Sequence, residues 1–429
     1  MEILTSYNII IAASLVIICS FFFGELANKT NIPSVLMLIV LGIGLNFGME
    51  ALGIVDIDFF PVLEVLGIVG LIMIVLEAAL ELELKREKLM PILLALAIAL
   101  IGLLASIWAA AWILQYFMPD MTTQQAWLYA TPLSILSSAI IIPSVSGLSK
   151  VKKEFHIYES TFSDILGIMV FYFLTGQIEQ AGDHGGGGLG EFFINLGITI
   201  GISIIASYAI ILIFQNIKSH VKLFLMIAVL LLLYALGKKM HLSSLIIILT
   251  FGLVIANMKL FFQGRLAKWL KEEQAKHIYE GLHIITMETA FVVRTFFFVI
   301  FGLTISLASL RNIEVAMISG LIILSIYVIR FVLLRVFLGA DINPQVFIAP
   351  RGLITVLLFY AIPEEALYLD FEPGILLFII IGTSLIMTFA MIADKRKTTQ
   401  AIRAAEGTPV GYTKWKMPVV EIEEKNDSH

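Results

Sequence analysis

The 429-residue sequence predicts an all-α integral membrane protein, and three observations carry that prediction. Hydrophobic residues make up 59% of the chain and charged residues only 14%, with 31 glycines besides, which excludes a water-soluble globule. The apolar residues form continuous runs near the roughly 20 that a helix needs to cross a bilayer. An outer-membrane barrel would instead alternate polarity in segments of about 10 residues. Lysine and arginine, finally, fall almost wholly on alternate loops, as they do when one side faces the cytoplasm. The net charge of −5 and the lack of helix-turn-helix or zinc-finger spacing exclude nucleic acid as a partner. A lone Cys19 excludes a disulfide framework and a cysteine-rich metal site.

Polar and Pro/Gly breaks divide the chain into thirteen candidate spans. The first, 7–24, is followed by Glu-Leu-Ala-Asn-Lys and not by a small-residue cleavage site, so it reads as a retained span. Spans 2 to 4 cover 32–48, 62–82 and 89–117; span 5 covers 126–148 and span 6 covers 157–179. Gly185 to Gly188 read as a flexible outside loop, since no phosphate-binding context follows. Spans 7 to 9 cover 191–215, 221–237 and 242–258, and residues 262–282 suggest an interfacial helix before span 10 at 283–308. Spans 11 to 13 cover 313–338, 345–363 and 372–393, which makes residues 1–394 one transmembrane domain and 395–429 a short solvated tail. With this assignment one side holds 22 of the 28 basic residues and the other holds 3, with Arg294, Arg330 and Arg351 inside spans. The N-terminus is therefore expected outside and the C-terminus in the cytoplasm, and the short tail suggests a plasma (inner) membrane. No nucleotide-binding domain is recognisable, which argues against ATP-driven pumping.

Charges inside the bilayer cost at least a few kcal/mol, so each needs a partner, a water path or a function. Glu77 lies in span 3, Glu159 and Asp164 in span 6, Glu288 and Arg294 in span 10, Arg330 in span 11 and Arg351 in span 12. At helical spacing Glu159 and Asp164 point about 140° apart, which suggests two different tasks. Asp164, the deeper, suits a carboxylate that holds a proton when desolvated and gives it up to a bound cation. Glu159 is better placed to pair with an arginine. Glu77 shares a face with Glu81 and suits either an inner funnel or a solvated interface; Arg294 suits either an approach to the core or snorkelling, and Glu288 lies on another face. His156, His241, His277 and His283 show no metal-ligand spacing.

Two spans carry internal breaks. Span 5 has Pro132 and Pro143 bracketing Ser134, Ser137 and Ser138; span 12 runs from Pro344 through Pro350-Arg351-Gly352 to Pro363. Such breaks free backbone groups, tolerable only where they line a cavity or bind an ion. Six spans, a linker and six more would make spans 5 and 12 equivalent, and interrupted segments at matched positions point to a midplane site between two inverted repeats.

The residues resemble the monovalent cation:proton antiporters of the sodium/proton exchanger family. Leu26 to Gly48 with Ile32-Pro33, Gly70 to Leu82, Leu242 to Asn257 and Phe296 to Leu303 are each similar to a family segment, in family order. Glu159-Ser-Thr-Phe-Ser-Asp matches the family's Glu-Ser-x-x-Asn-Asp pattern at all but one position. The resemblance implies that Asp164 is the ion-binding aspartate and that Glu159 pairs with a mid-helix arginine, which Arg330 matches. Arg351-Gly352 matches the charge at the second broken helix. It further implies a homodimer in the lipid bilayer, a dimerisation bundle and a moving core with two crossed broken helices, and no cofactor. Two departures stand out: Ser163 replaces Asn or Asp, and Ser138-Ala139-Ile140 replaces Thr-Asp-Pro, with Pro143 displaced. The expected ion site is therefore Asp164 with Ser163, Ser137 and Ser138, binding Na⁺, Li⁺ or K⁺ in exchange for H⁺. With one carboxylate, such exchange moves no net charge. A channel would need a continuous polar lining, whereas the polar groups here cluster at one depth; a relative with a changed substrate is the other alternative.

Overall fold

The computed structural model describes residues 6–30, 33–51, 60–82, 84, 86–181, 189–217, 222–239, 244–262, 269, 271–304 and 312–407. These residues are helical throughout apart from turns, short 3-10 segments and two extended stretches: α1 (Ser6–Thr30), α2 (Ser34–Ala51), α3 (Phe60–Glu81), α4 (Leu89–Phe117), α5 (Thr123–Ser134), α6 (Ser138–Ser144), α7 (Lys150–Ala181), α8 (Leu189–Phe214), α9 (Lys222–Lys239), α10 (Ser244–Ala256), α11 (Met258–Phe261), α12 (Glu272–Thr304), α13 (Ile313–Leu338), α14 (Leu353–Tyr360) and α15 (Gly374–Gly407). Among the described residues, nine stretches are long and apolar enough to cross a membrane, with α5 and α6 making one stretch together. An apolar helix satisfies every backbone group internally, which is why hydropathy alone locates these elements.

The helices pack as two bundles. In one, α4 packs on α5, α7 and α13, α15 packs on α13, and the short helices α6 and α14 pack on α7 and α5. In the other, α12 packs on α2 and α3, and α10 packs on α3, α8 and α9. The seam between them is crossed mainly by α3, which touches α7 and α14, with smaller contacts of α1 with α6 and of α10 with α7. The second bundle is drawn together by glycine. A Cβ on Gly42 would collide with the Val299 carbonyl, and one on Gly302 with the Ile39 carbonyl, so α2 and α12 cross with their backbones in contact.

Local sequence explains the ends that matter. α5 starts at a capping box in which the Thr122 hydroxyl accepts from the Gln125 amide and the Gln125 side chain accepts from the Thr122 amide. Gly339 ends α13 with φ +85°, a conformation that favours glycine. Pro344 and Pro350 push the residues before them out of helical geometry, and residues 348–352 stay non-helical until α14 begins.

Two boundaries differ from expectation. Residues 272–282 do not form a separate interfacial helix; they are the first turns of α12, which continues unbroken because Ala275, Ile278 and Leu282 are buried in the bundle. Residues 263–268 and 270 lie outside the described residues. The solvated tail expected from residue 395 is helical as far as Gly407, as an extension of α15. The Gly185 to Gly188 loop, Ile32, His241 and residues 408–429 also lie outside the described residues.

Candidate functional site: two crossed broken segments

Between α5 and α6 the chain leaves helical geometry at Ile135, Leu136 and Ser137. Before the break, Thr131 and Ser134 donate their hydroxyls back to the carbonyls of Trp127 and Ala130, a pairing that competes with regular helix. The amides released by the break find partners elsewhere. The Leu136 amide donates to the Ser163 hydroxyl at 3.0 Å, and the Ser137 amide donates to the Pro350 carbonyl at 3.0 Å. The second bond ties the first break to the second, so the broken segments cross at Ser137 and Pro350. Gly352 lets them approach, since a Cβ there would collide with the Ser137 hydroxyl and lie 2.9 Å from Ile140 Cδ1.

Arg351 sits within this crossing and is 2% exposed. Its Nε donates to the Leu133 carbonyl at 3.0 Å, its Nη1 to the Ala349 carbonyl at 2.9 Å, and the Thr383 hydroxyl accepts from its backbone amide at 3.0 Å. Leu133 is in the last turn of α5, where unpaired carbonyls concentrate negative partial charge, so the guanidinium neutralises that helix end.

On α7 the two acidic residues face different surroundings, as their angular separation requires. Glu159 receives two hydrogen bonds from Arg330, at 2.7 and 2.9 Å, and lies 3.2 Å from His156 Nδ1. Arg330 Nε in turn donates to the Gln345 carbonyl at 3.0 Å, so α7, α13 and the segment before the second break meet at one buried pair. Asp164 is 2% exposed and faces the hydroxyl and amide of Ser138. Neither of its carboxylate oxygens has a hydrogen-bond partner among the described residues. A cavity of about 30 Å³ lies on the other side of α7, walled by Ser134, Leu136, Glu159, Ser163, Arg330 and Arg351; Asp164 is not in its wall.

Of the three serines named with Asp164, Ser138 is the one that faces it. Ser163 instead accepts from the Leu136 amide and holds the break open, and the Ser137 hydroxyl lies against Gly352. Arg294 neither snorkels nor stands alone: it pairs with Glu77 at 2.8 Å and reaches toward the Ala139 carbonyl at 3.4 Å. Glu288 is exposed on α12 and is not part of the crossing. Sequence reading missed His156 and Thr383 as partners. His156 was within reach, being three residues before Glu159 on the same helix; Thr383 carries no signal, since it meets Arg351 only through folding.

Residues 11–393 match the model of the family described as sodium/hydrogen exchanger, transmembrane. The chain belongs to that family. It is accordingly a multi-pass membrane protein and a secondary transporter that exchanges a monovalent cation for H⁺, not an enzyme. No curated protein matches it. Among solved structures, the fold is similar to that of the sodium proton antiporter MjNhaP1 from Methanocaldococcus jannaschii at pH 8, with a TM-score of 0.64, 19% identity, and coverage of 89% of this chain and 94% of that one. An electron-microscopy structure of the same antiporter is similar at a TM-score of 0.61 and 20% identity, covering 94% of this chain and 98% of that one.

Proposed function

We propose that Asp164 is the exchanging group, binding H⁺ and Na⁺ in turn, with Ser138 opposite it and the oxygens of Ser137 and Ser163 at the adjoining break. The observation that carries this reading is a buried carboxylate beside a broken helix, which faces the Ser138 hydroxyl and amide and whose oxygens have no hydrogen-bond partner among the described residues. An unpaired buried carboxylate is costly unless it is protonated or holds a cation. Those two states are the loaded states of an exchanger, and they compete for the same oxygens. One carboxylate takes one Na⁺ or one H⁺, so the exchange is electroneutral.

Glu159 with Arg330, and Arg351 at the crossing, hold the site together and carry no ion. The seam supports an alternating-access cycle in which the bundle containing α4 to α7 and α13 to α15 moves against the other. The matched breaks support thirteen spans in two inverted repeats of six. A homodimer, a plasma (inner) membrane location and a cytoplasmic C-terminus complete the proposal, the last from the charge asymmetry.

The test is proton flux in proteoliposomes under an imposed pH gradient, with Na⁺, Li⁺ or K⁺ added in turn. Na⁺ is expected to dissipate the gradient in the native protein and not in Asp164→Asn. Since proton and cation compete, the apparent KM for Na⁺ should rise as pH falls, by at most about tenfold per pH unit for a single carboxylate. Acceleration of flux by an imposed membrane potential would overturn electroneutrality, and a unitary conductance would overturn exchange.

A further inference from the structure

Arg294 differs from the other two arginines of the membrane region. Arg330 is matched to both oxygens of a carboxylate and Arg351 to two carbonyls, but Arg294 is only partly held. Its Nη2 donates to Glu77 at 2.8 Å, its Nη1 reaches the Ala139 carbonyl at 3.4 Å, and its buried Nε has no hydrogen-bond partner among the described residues. Its position is equally distinctive. Arg294 and Glu77 belong to α12 and α3, whereas Ala139 belongs to α6 in the other bundle and follows directly on Ser138, which faces Asp164. The guanidinium thus ends at the seam, beside the backbone of the residue next to Ser138. Glu81, one turn on from Glu77, and Lys153 of α7 share the field of this pair. The side chains of Arg294 and Glu77 are 18% and 16% exposed, so the pair is neither sealed in a core nor free in solvent.

We propose that Arg294 is a positioning residue for exchange: a tethered positive charge beside the Asp164 site, which Glu77 holds away from that carboxylate. The inference rests on Asp164 being the exchanging group. A guanidinium compensated by a carboxylate at 2.8 Å projects little field onto its surroundings, whereas an uncompensated one competes with any cation for nearby negative charge. Removing Glu77 leaves Arg294 with an unused donor at the seam, against the residue next to the serine that faces Asp164. Removing Arg294 leaves Glu77 to attract cations toward the same place. The two losses therefore act in opposite directions on cation binding, which a purely structural pair would not do.

The experiment measures the apparent KM for Na⁺ and the maximal rate of proton flux in proteoliposomes for the native protein, Glu77→Gln, Arg294→Gln, Arg294→Lys and the double variant Glu77→Gln/Arg294→Gln. Glu77→Gln should raise KM about tenfold, Arg294→Gln should lower it about threefold, and the double variant should return close to the native value. Arg294→Lys, which keeps the charge, should also stay close to native. A double variant no better than Glu77→Gln would overturn the proposal, as would an Arg294→Gln that raises KM. If Glu77→Gln yields no folded protein, the comparison of Arg294→Gln with Arg294→Lys decides, equal KM values overturning it. Asp164→Asn is run beside them: Na⁺-dependent flux surviving in that variant overturns the Asp164 reading itself, whatever the KM pattern.

Discussion

Glu159 and Asp164 lie five residues apart on α7 and are both buried, yet they are held in opposite ways. Glu159 is enclosed by Arg330 and His156, while neither oxygen of Asp164 has a hydrogen-bond partner among the described residues. A helix carries both because their directions diverge, one toward α13 and the other toward the break at Ser138. On the proposed function, the contrast separates a carboxylate whose charge is spent on structure from one whose charge is available for chemistry. It also predicts that removing each will be felt in a different measurement.

The largest expected effect is on transport. Asp164→Asn should reduce Na⁺-dependent proton flux to the level of protein-free vesicles without lowering the thermal stability of the purified protein, since the carboxylate makes no hydrogen bond among the described residues and Asn keeps an oxygen toward Ser138. An Asp164 variant that failed to fold would erase the contrast with Glu159.

Next is stability at the other carboxylate. Glu159→Ala leaves Arg330 buried without its partner and should cost about 3–5 kcal/mol, seen as a lowered melting temperature and yield. Glu159→Ala/Arg330→Ala should recover most of it. Normal folding of both single variants would mean that the pair is not structural.

A third pair of variants asks whether the two bundles respond differently to the same insult. Gly352→Ala places a methyl against Ser137 at the crossing, and Gly302→Ala places one against the Ile39 carbonyl where α2 meets α12. Each should cost about 1–3 kcal/mol in stability. Gly352→Ala should also slow exchange, because it separates the broken segments, whereas Gly302→Ala should leave the KM for Na⁺ unchanged.

An effect of similar size on stability, and the smallest on transport, should come from Ser163→Ala, which removes the acceptor of the Leu136 amide and should cost about 1–3 kcal/mol, with exchange slowed but retained. Complete loss of Na⁺-dependent flux with normal folding would make Ser163 a ligand in its own right.

Much of the site could be read before folding was considered. The angular separation on span 6 divided Glu159 from Asp164, and the prolines around Ser137 and Arg351 marked both breaks. Other assignments needed the fold. Ser163 stands at the expected ion site because its neighbour is an aspartate, but that its hydroxyl also accepts from the Leu136 amide, 27 residues earlier at the break, needed the fold. Arg294 gave no indication of its partner, since Glu77 lies 217 residues away. At the start of α12, charges at residues 271–280 resemble an interfacial helix, while burial of Ala275 and Ile278 makes them one end of a long one.

From residues alone came the membrane class, the positions of the helices and the two interruptions. Those properties are local: a bilayer offers no water, so each segment must satisfy its own backbone, and apolar runs, prolines and glycines record where it does and does not. Folding assigned the partners. Which carbonyl Arg351 neutralises, which serine faces Asp164 and which carboxylate restrains Arg294 depend on distances of about 3 Å between groups far apart in the chain, and no spacing rule reaches across that separation.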